Sequence, residues 1–328
     1  MDYDDDGVLD IISGSYDPGD VYLIRGLGNG EYASVESITD EDDTPLVHHP
    51  KEMKRHLDEP SEQSDQLASF GSWAAPMDWD DDGDLDMLIG TFGGQMFLRE
   101  NIGTRADPEY DRSSTQVIAD GKPLKVSSHA SPVAVDWNGD GLEDLVVGEG
   151  NGSVGWYQNT GTSKLPEFSV RRLLVGAPSD SIFLMQYLYP GEISAPGTRA
   201  QISVCDYNGD GRLDLLVGDY STRIELDEDW SDEKKAGMFS AFHQSLESMK
   251  RFSALQQDFA DRHIVAQEKG PEAVKALNLE FEKEMANLGK GSNTPSVSMS
   301  EEEGEVLERL FNESPSVSKV WLYLRKPE

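Results

Sequence analysis

Residues 136–148 read DWNGDGLEDLVVG. An Asp, an Asn and an Asp stand at alternate positions and are followed by Gly, by a further Asp at position 9 and by an apolar run that ends in Gly. The same nine-residue pattern, D-x-[DN]-x-D-G-x-x-D, begins at Asp2, Asp78, Asp136 and Asp206. We name these copies loops 1 to 4. Four copies that lead into the same type of segment predict a repeat protein.

Oxygen-bearing side chains at positions 1, 3, 5 and 9 of each loop are the ligands that calcium prefers. Zinc favours His and Cys, and magnesium favours a strict octahedron with fewer protein ligands. Position 7 holds four different residue types, which indicates a backbone carbonyl ligand. We therefore predict about four calcium ions, one in each loop. The predicted metal ligands are Asp2, Asp4, Asp6, Val8 and Asp10; Asp78, Asp80, Asp82, Asp84 and Asp86; Asp136, Asn138, Asp140, Leu142 and Asp144; and Asp206, Asn208, Asp210, Arg212 and Asp214.

A hairpin turn without a metal ion is the alternative interpretation of each Asp-Gly pair. It accounts for two residues of each loop and leaves the remaining carboxylates without a role. Packed carboxylates repel one another, so a loop without an ion would oppose its own fold. An EF-hand is excluded because its bidentate Glu stands at position 12 between two helices, whereas short apolar runs typical of strands flank these loops.

The segments that follow the loops are also repeated. Residues 96–104 read MFLRENIGT and residues 155–162 read GWYQNTGT, and each segment is followed by Pro-Glu and an aromatic residue. Each unit therefore reads as strand, loop, strand, turn, aromatic strand, Gly turn and outer strand. Four antiparallel strands in each repeat unit are typical of a propeller blade.

On these motifs the chain resembles the calcium-binding FG-GAP/VCBS repeat family, which includes integrin α-subunit heads and many bacterial surface proteins. The resemblance implies an all-β fold, a β-propeller of four-stranded blades of which four are visible. Since the chain opens at Met1 and Asp2, already inside loop 1, we expect an N-terminally truncated propeller. A misassigned start codon and a ring of few blades are the alternatives.

Residues 231–288 interrupt the repeat. Apolar residues recur there at steps of three and four, which predicts two amphipathic helices separated near Gly270 and Pro271. A short acidic helix is expected over 301–313. The predicted domains are blades over 1–224, a helical insertion over 225–313 and a final propeller strand over 314–328. The helical stripes either pack within the protein or form a docking or self-association arm; their polar face is not basic, so we expect no membrane insertion.

Charge and cysteine content restrict the function further. Lys and Arg number 28 against 62 Asp and Glu, a net charge of −34 that would repel nucleic acid. The single cysteine, Cys205, excludes an internal disulfide and is predicted to be a small buried apolar residue, because Met77 and Val135 hold its place in other repeats. Calcium loops of weak affinity suit an extracellular, cell-surface or periplasmic location. The chain shows no signal peptide, which a lost N-terminus would explain.

No catalytic residues are predicted. His48, His49 and His56 lie in a polar stretch whose spacing matches no zinc pattern and which reads as a solvated loop. The favoured function is a non-enzymatic, calcium-stapled propeller, secreted or on the cell surface, that presents a surface for a protein or glycan in adhesion. The alternative is a polysaccharide-active enzyme or its accessory module. Its site would be lined by loops 41–66 and 178–198, with His48, His49, Tyr187 and Tyr189.

Overall fold

The computed structural model describes residues 1–58, 70–178, 181–182, 185–188, 196–226, 228–290 and 316–326. Its strands are β1 (Ile11–Gly14), β2 (Val21–Ile24), β3 (Gly26–Gly28), β4 (Glu31–Tyr32), β5 (Glu36–Ser37), β6 (Ser72–Met77), β7 (Asp86–Thr91), β8 (Met96–Arg99), β9 (Thr115–Gln116), β10 (Ile118–Ala119), β11 (Lys122–Pro123), β12 (Ser131–Val135), β13 (Asp144–Gly148), β14 (Val154–Tyr157), β15 (Arg172–Val175), β16 (Ser181–Ile182), β17 (Met185–Leu188), β18 (Thr198–Cys205), β19 (Asp214–Arg223), β20 (Ser316–Val317) and β21 (Val320–Tyr323). Its helices are α1 (Pro50–Asp58), α2 (Asp232–Lys269) and α3 (Pro271–Lys290).

The repeats form antiparallel sheets in chain order. The second and third sheets are four-stranded, with orders β6-β7-β8-β9 and β12-β13-β14-β15, and the first sheet is β1-β2-β5. In the fourth sheet β19 lies between β18 and β21. The third strand of that sheet therefore comes from residues 320–323, near the end of the chain. The described residues are mainly β-structure, as predicted; closure into a propeller and the number of blades stay predictions.

A glycine contact repeats between successive sheets. A Gly in the strand that directly follows each of loops 1 to 3 lies against a backbone carbonyl at the start of the next sheet. The pairs, with the distance from an added Cβ to the carbonyl oxygen, are Gly14–Ser72 (2.1 Å), Gly90–Ala130 (2.0 Å) and Gly148–Ala200 (2.3 Å). A side chain at these positions would collide with fixed backbone, so the Gly that follows each apolar run permits the sheets to approach.

Apolar clusters fill the spaces between the sheets. Met87 and Ile89 of β7 pack toward the first sheet, whereas Leu88 packs with Leu145 and Val147 of the third sheet. This alternation follows from the pleat of a strand, whose successive side chains point to opposite faces. A strand covered on both faces is apolar throughout, which explains the continuous runs that follow the loops.

The outer face of the fourth sheet differs from the equivalent faces of the second and third. An added Cβ on Gly218 would meet no atom closer than 3.6 Å, and Leu322 and Val320 are exposed. Cys205 is exposed as well, so the prediction that it is buried was wrong. Its counterparts Met77 and Val135 pack against a following sheet, and the described residues place no such sheet over Cys205.

The described residues divide into two compact units. The first comprises Met1–Ser179, Ala195–Tyr220 and Ser318–Glu328, and the second comprises Asp180–Ser194 and Ser221–Val317. In the second unit α2 and α3 are antiparallel partners that meet through Phe259 and Phe281, whose ring centroids are 4.2 Å apart. Arg262 and Glu280 form an ion pair of 2.7 Å beside these rings. The two helices agree with the sequence prediction; the acidic helix expected over 301–313 lies outside the described residues.

The polar stretch around His48 was wrongly predicted to be a solvated loop. His48 is 2% exposed, and residues 50–58 form helix α1. Pro50 stands at the first helical position, where its missing N–H costs nothing. Among the described residues, no helix is long and apolar enough to cross a membrane.

Candidate metal centre

The carboxylate at position 1 organises each of the four loops. Both oxygens of Asp78 accept backbone N–H groups, from Asp82 at 3.1 Å and from Gly83 at 3.1 Å. Asp2, Asp136 and Asp206 accept the N–H groups of the same two positions in their own loops. The chain of each loop is thereby curled around its first carboxylate.

The carboxylate at position 9 connects the loop to the end of a neighbouring strand, the one that pairs with the strand after the loop. Asp86 accepts the N–H of Trp79 at 3.0 Å and the N–H of Asn101 at 2.7 Å. In the other loops the corresponding backbone N–H donors are Gly26 to Asp10 (2.8 Å), Asn159 to Asp144 (2.7 Å) and Arg325 to Asp214 (2.9 Å). The last Asp therefore has a structural role in all four loops, in addition to its predicted role as a ligand.

Two left-handed residues produce the curl. The Gly at position 6 has a φ of 85°, 98°, 90° or 81° in loops 1 to 4, which disfavours any residue with a Cβ. Position 4 is left-handed too, and is occupied by Asp5, Asp81, Gly139 and Gly209. The pattern at position 6 was visible in the sequence. The left-handed conformation at position 4 was not visible in the sequence, because two of the loops have Asp there and two have Gly. Asp tolerates this conformation through its short polar side chain.

Carboxylates converge in the first two loops. One oxygen each from Asp2, Asp4 and Asp10 lie within 4.8 Å of one another, as do one oxygen each from Asp78, Asp80 and Asp82. Calcium–oxygen distances are about 2.3–2.6 Å, so two ligands on opposite sides of an ion are separated by about 5 Å. The hard oxygen donors and their spacing fit a calcium ion.

Burial and repulsion between carboxylates raise the pKa values of two Asp side chains in loop 2. Burial, with the charges of Asp82, Asp80 and Asp78, raises the pKa of Asp84 to about 6. Burial also raises the pKa of Asp86 to about 7, and the neighbouring Asp84 adds to this effect. In the absence of a cation, these two carboxyl groups therefore keep their protons to a higher pH than an exposed Asp does.

Among the described residues, cationic side chains form ion pairs with carboxylates of two of the loops, loops 1 and 4. Arg25 forms ion pairs with Asp4 of loop 1 and with Glu36. Arg212, at position 7 of loop 4, lies 2.5 Å from Asp210. A guanidinium at a carboxylate competes with a metal ion for the same oxygen atoms. Loops 1 and 4 therefore differ in chemistry from loops 2 and 3, a difference that the shared Asp pattern does not reveal.

The Asn that follows the third strand holds the next turn. Asn101 Oδ1 accepts the N–H groups of Gly103 and Glu109, both at 3.0 Å. Asn159 Oδ1 accepts those of Gly161 at 2.9 Å and Glu167 at 3.2 Å. Sequence reasoning identified the Gly turn and missed these amide contacts, although the repeated N-x-G-T string carried the signal.

A comparison of the sequence with protein families gives a match that contains loops 3 and 4.

Residues 136–217 match the family of FG-GAP-like repeats.

The matched FG-GAP-like segment is about a quarter of the chain and runs from the first ligand position of loop 3 to the strand that follows loop 4. Loops 1 and 2 share its hydrogen-bond frame, although they lie outside the matched residues. FG-GAP repeats are commonly extracellular. A comparison with curated proteins gave no significant match.

His48 and His49 lie away from the loops of the FG-GAP-like repeats. Both pack on Phe97, with ring-centroid distances of 5.6 and 5.1 Å. They border a cavity of about 270 Å³ together with Arg112. The side chain of Tyr187 and the whole of Tyr189 lie outside what the structure describes, so the predicted grouping of these tyrosines with the two histidines stays a prediction.

Proposed function

We propose that the chain is a calcium-binding module of propeller type that works outside the cytoplasm and presents a surface to a protein or glycan partner. About four calcium ions act as staples, one in each loop, and the module itself is not an enzyme. In this proposal the ligands are the side chains at positions 1, 3, 5 and 9 and the backbone carbonyl at position 7.

The convergence of three carboxylates in loop 1 and of three in loop 2, within 4.8 Å, is the observation that carries this proposal. Loops 3 and 4 share the same hydrogen-bond frame and have Asn in place of one carboxylate. An amide oxygen remains an acceptable calcium ligand. The match to FG-GAP-like repeats supports a repeat module of β-structure.

The alternative of a polysaccharide-active enzyme rested on His48 and His49. Their rings pack on Phe97, and His48 is buried. This packing is what a structural role requires, and it gives the enzyme hypothesis no support.

Calcium titration and thermal melting test the proposal. An ion that binds only the folded state stabilises it by about 2.7 kcal/mol when its concentration is 100 times the dissociation constant. We expect calcium uptake by isothermal titration, and a melting temperature that falls substantially in EDTA. Asp80→Ala should remove one binding step, whereas Asp107→Ala, in a turn outside the loops, should remove none.

Folded protein that takes up no calcium, or that melts at the same temperature in calcium and in EDTA, would contradict the staple role. Loss of more than one step in Asp80→Ala would show instead that the sites depend on one another.

A further inference from the structure

A cavity of about 750 Å³ opens along the first strands of the second, third and fourth sheets. Ligand sites commonly have volumes of about 300–1,000 Å³ and combine aromatic walls with a few polar groups. Here Tyr16, Trp73 and Tyr220 supply aromatic surface, and His129 and Arg199 supply polar groups. All of these residues belong to the first structural unit and none belongs to the calcium loops.

Arg199 is the distinctive group in this cavity. Its guanidinium lies over the ring of Tyr220, with Cζ 4.5 Å from the ring centroid. Its Nε is buried and has no hydrogen-bond partner, and among the described residues no carboxylate forms an ion pair with it. A cation without a counter-ion is unexpected in a chain of net charge −34.

The acidic residue that borders the cavity, Asp219, has hydrogen-bond partners other than Arg199. Asp219 accepts three hydrogen bonds, from Gly197 N at 2.6 Å, Lys319 N at 2.7 Å and Trp321 Nε1 at 2.8 Å. Both oxygens of Asp219 thus already accept hydrogen bonds from uncharged N–H groups. The guanidinium of Arg199 is left without a carboxylate partner among the described residues, and an anionic group of a ligand could pair with it.

The backbone at Arg199 is held in an unfavourable conformation. Gly71, His129 and Arg199 occupy equivalent positions, each directly before the residue whose carbonyl meets a Gly of the preceding sheet. Their φ angles are 71°, 44° and 55°. Gly adopts this left-handed region freely, whereas for His and Arg it costs conformational free energy. Such backbone strain is often found at binding sites. The third and fourth sheets thus carry His129 and Arg199 where the second sheet has Gly71. They place two side chains at the cavity at a cost in stability.

His129 fixes the aromatic wall. It is 2% exposed; its Nε2 lies 3.1 Å from the hydroxyl of Tyr16, and its ring centroid is 5.3 Å from that of Trp73. Burial, with the charge of Arg199, lowers its pKa to about 4. The imidazole is therefore neutral at physiological pH and orients the hydroxyl of Tyr16 without adding charge.

We propose that this cavity binds an acidic sugar, with Arg199 pairing with the carboxylate or sulfate and the face of Trp73 or Tyr16 packing on the sugar ring. An aromatic face carries negative partial charge and attracts the C–H groups of a pyranose. Hydroxyl groups around the cavity, such as those of Ser13 and Ser131, suit a ligand that is itself hydroxylated. The inference deepens the proposed function by naming a glycan class, and it rests on that function.

Binding to three disaccharides tests this inference. Calcium-loaded protein is titrated with digalacturonate, with a sulfated galactose disaccharide and with neutral digalactose. We expect an acidic disaccharide to bind at least about tenfold more tightly than the neutral one, because a charge-assisted pair is lost with the neutral sugar. The two acidic probes distinguish carboxylate from sulfate.

Arginine variants locate the site. Arg199→Gln should weaken binding of the acidic disaccharide by at least about tenfold. Arg199→Gly should do the same without loss of melting temperature, since Gly71 occupies this position in the second sheet. Arg172→Gln is the matched control, because Arg172 also lies over an aromatic ring, Trp156, at 5.0 Å and outside the cavity. It should leave binding unchanged.

Equal binding of neutral and acidic disaccharides would overturn the inference, and so would equal loss in the Arg199 and Arg172 variants or no binding of any probe. A calcium titration of the same preparation separates the two proposals. If calcium binds and no disaccharide does, the cavity inference fails while the calcium module stands. If calcium does not bind, the proposed function fails on its own evidence.

Discussion

The third and fourth sheets have nearly the same sequence after their loops and very different surroundings. Residues 144–148 read DLVVG and residues 214–218 read DLLVG. Gly148 lies against the carbonyl of Ala200, whereas Gly218 meets only its own partner strand. Leu322 of the fourth sheet is exposed, and its counterpart Trp156 packs in the cluster between the third and fourth sheets.

The repeat pattern encodes a sheet with two apolar faces, and the neighbouring sheet determines whether each face is covered. The apolar character of a strand is local, but its burial is not. The same residue type can therefore be essential in one repeat and nearly neutral in the next.

Exchange of the two glycines for alanine tests this comparison most strongly. Gly148→Ala should destabilise the protein by about 3 kcal/mol, because the new Cβ would lie 2.3 Å from a backbone oxygen. Gly218→Ala should change stability by less than about 0.5 kcal/mol. Chemical denaturation in calcium measures both. Equal effects would show that a further surface covers the fourth sheet in solution.

The pH dependence of stability extends the comparison to the second sheet. Asp84 and Asp86 have pKa values raised to about 6 and about 7, from 3.8. The folded state without calcium therefore holds more protons than the unfolded state between about pH 4 and 7, and its stability falls as pH rises through that window. In EDTA we expect a loss on the order of 2 kcal/mol between pH 5 and 8.

Calcium should abolish much of this loss, because the ion neutralises the deprotonated carboxylates. Asp84→Leu is the matched variant, since loop 3 has Leu142 at this position, and it should flatten the EDTA profile. Denaturant titrations at each pH measure the change. Stability that rises with pH in EDTA would show that these two groups do not govern it.

A change at position 7 compares loops 3 and 4 directly. Arg212 pairs with Asp210 at 2.5 Å, whereas loop 3 has Leu142 there. Arg212→Leu should strengthen calcium binding to loop 4 by about fivefold, about 1 kcal/mol, since a competing cation is removed. Calorimetric titration measures it, with Asp206→Ala to identify the step that belongs to loop 4. Weaker binding in Arg212→Leu would mean that the guanidinium supports the site.

The smallest effect is expected at Cys205. Cys205→Ser should change stability by less than about 0.5 kcal/mol, because the thiol is exposed. The thiol should react rapidly with a colorimetric disulfide reagent in the folded protein. A Val135→Cys thiol on a Cys205→Ser background should react at least tenfold more slowly, because Val135 packs against the fourth sheet. Slow reaction at Cys205 would indicate that its face is covered.

Much of the fold could be predicted from the sequence because its signals are local. The Asp-rich pattern with Gly at position 6 predicted four curled loops, and the short apolar runs predicted the strands beside them. The turn at Gly270 and Pro271 separated two helices correctly, since Pro begins a helix far more readily than it continues one. Helix α1 was missed because the polar composition around His48 is typical of a loop. The packing of His48 on Phe97 is a contact between distant parts of the chain, which composition does not indicate.

The candidate site divides in the same way. The ligand types and their spacing follow from the chain alone, since all the side chains of one loop lie within nine residues. The competition from Arg25, the cavity at Arg199 and the connection from Asp214 to Arg325 join residues far apart in the chain. The spacing of residues along the sequence does not predict contacts of this kind.

The four oxygen-lined loops and the strands they connect follow from the amino-acid pattern, because backbone curl and hydrophobic alternation act over a few residues. The packing of the sheets alone shows which Gly is crowded, that Cys205 is exposed and that Arg199 faces a cavity without forming an ion pair. Burial and pairing depend on the surface that a neighbouring sheet presents, and that neighbour lies tens of residues away along the chain.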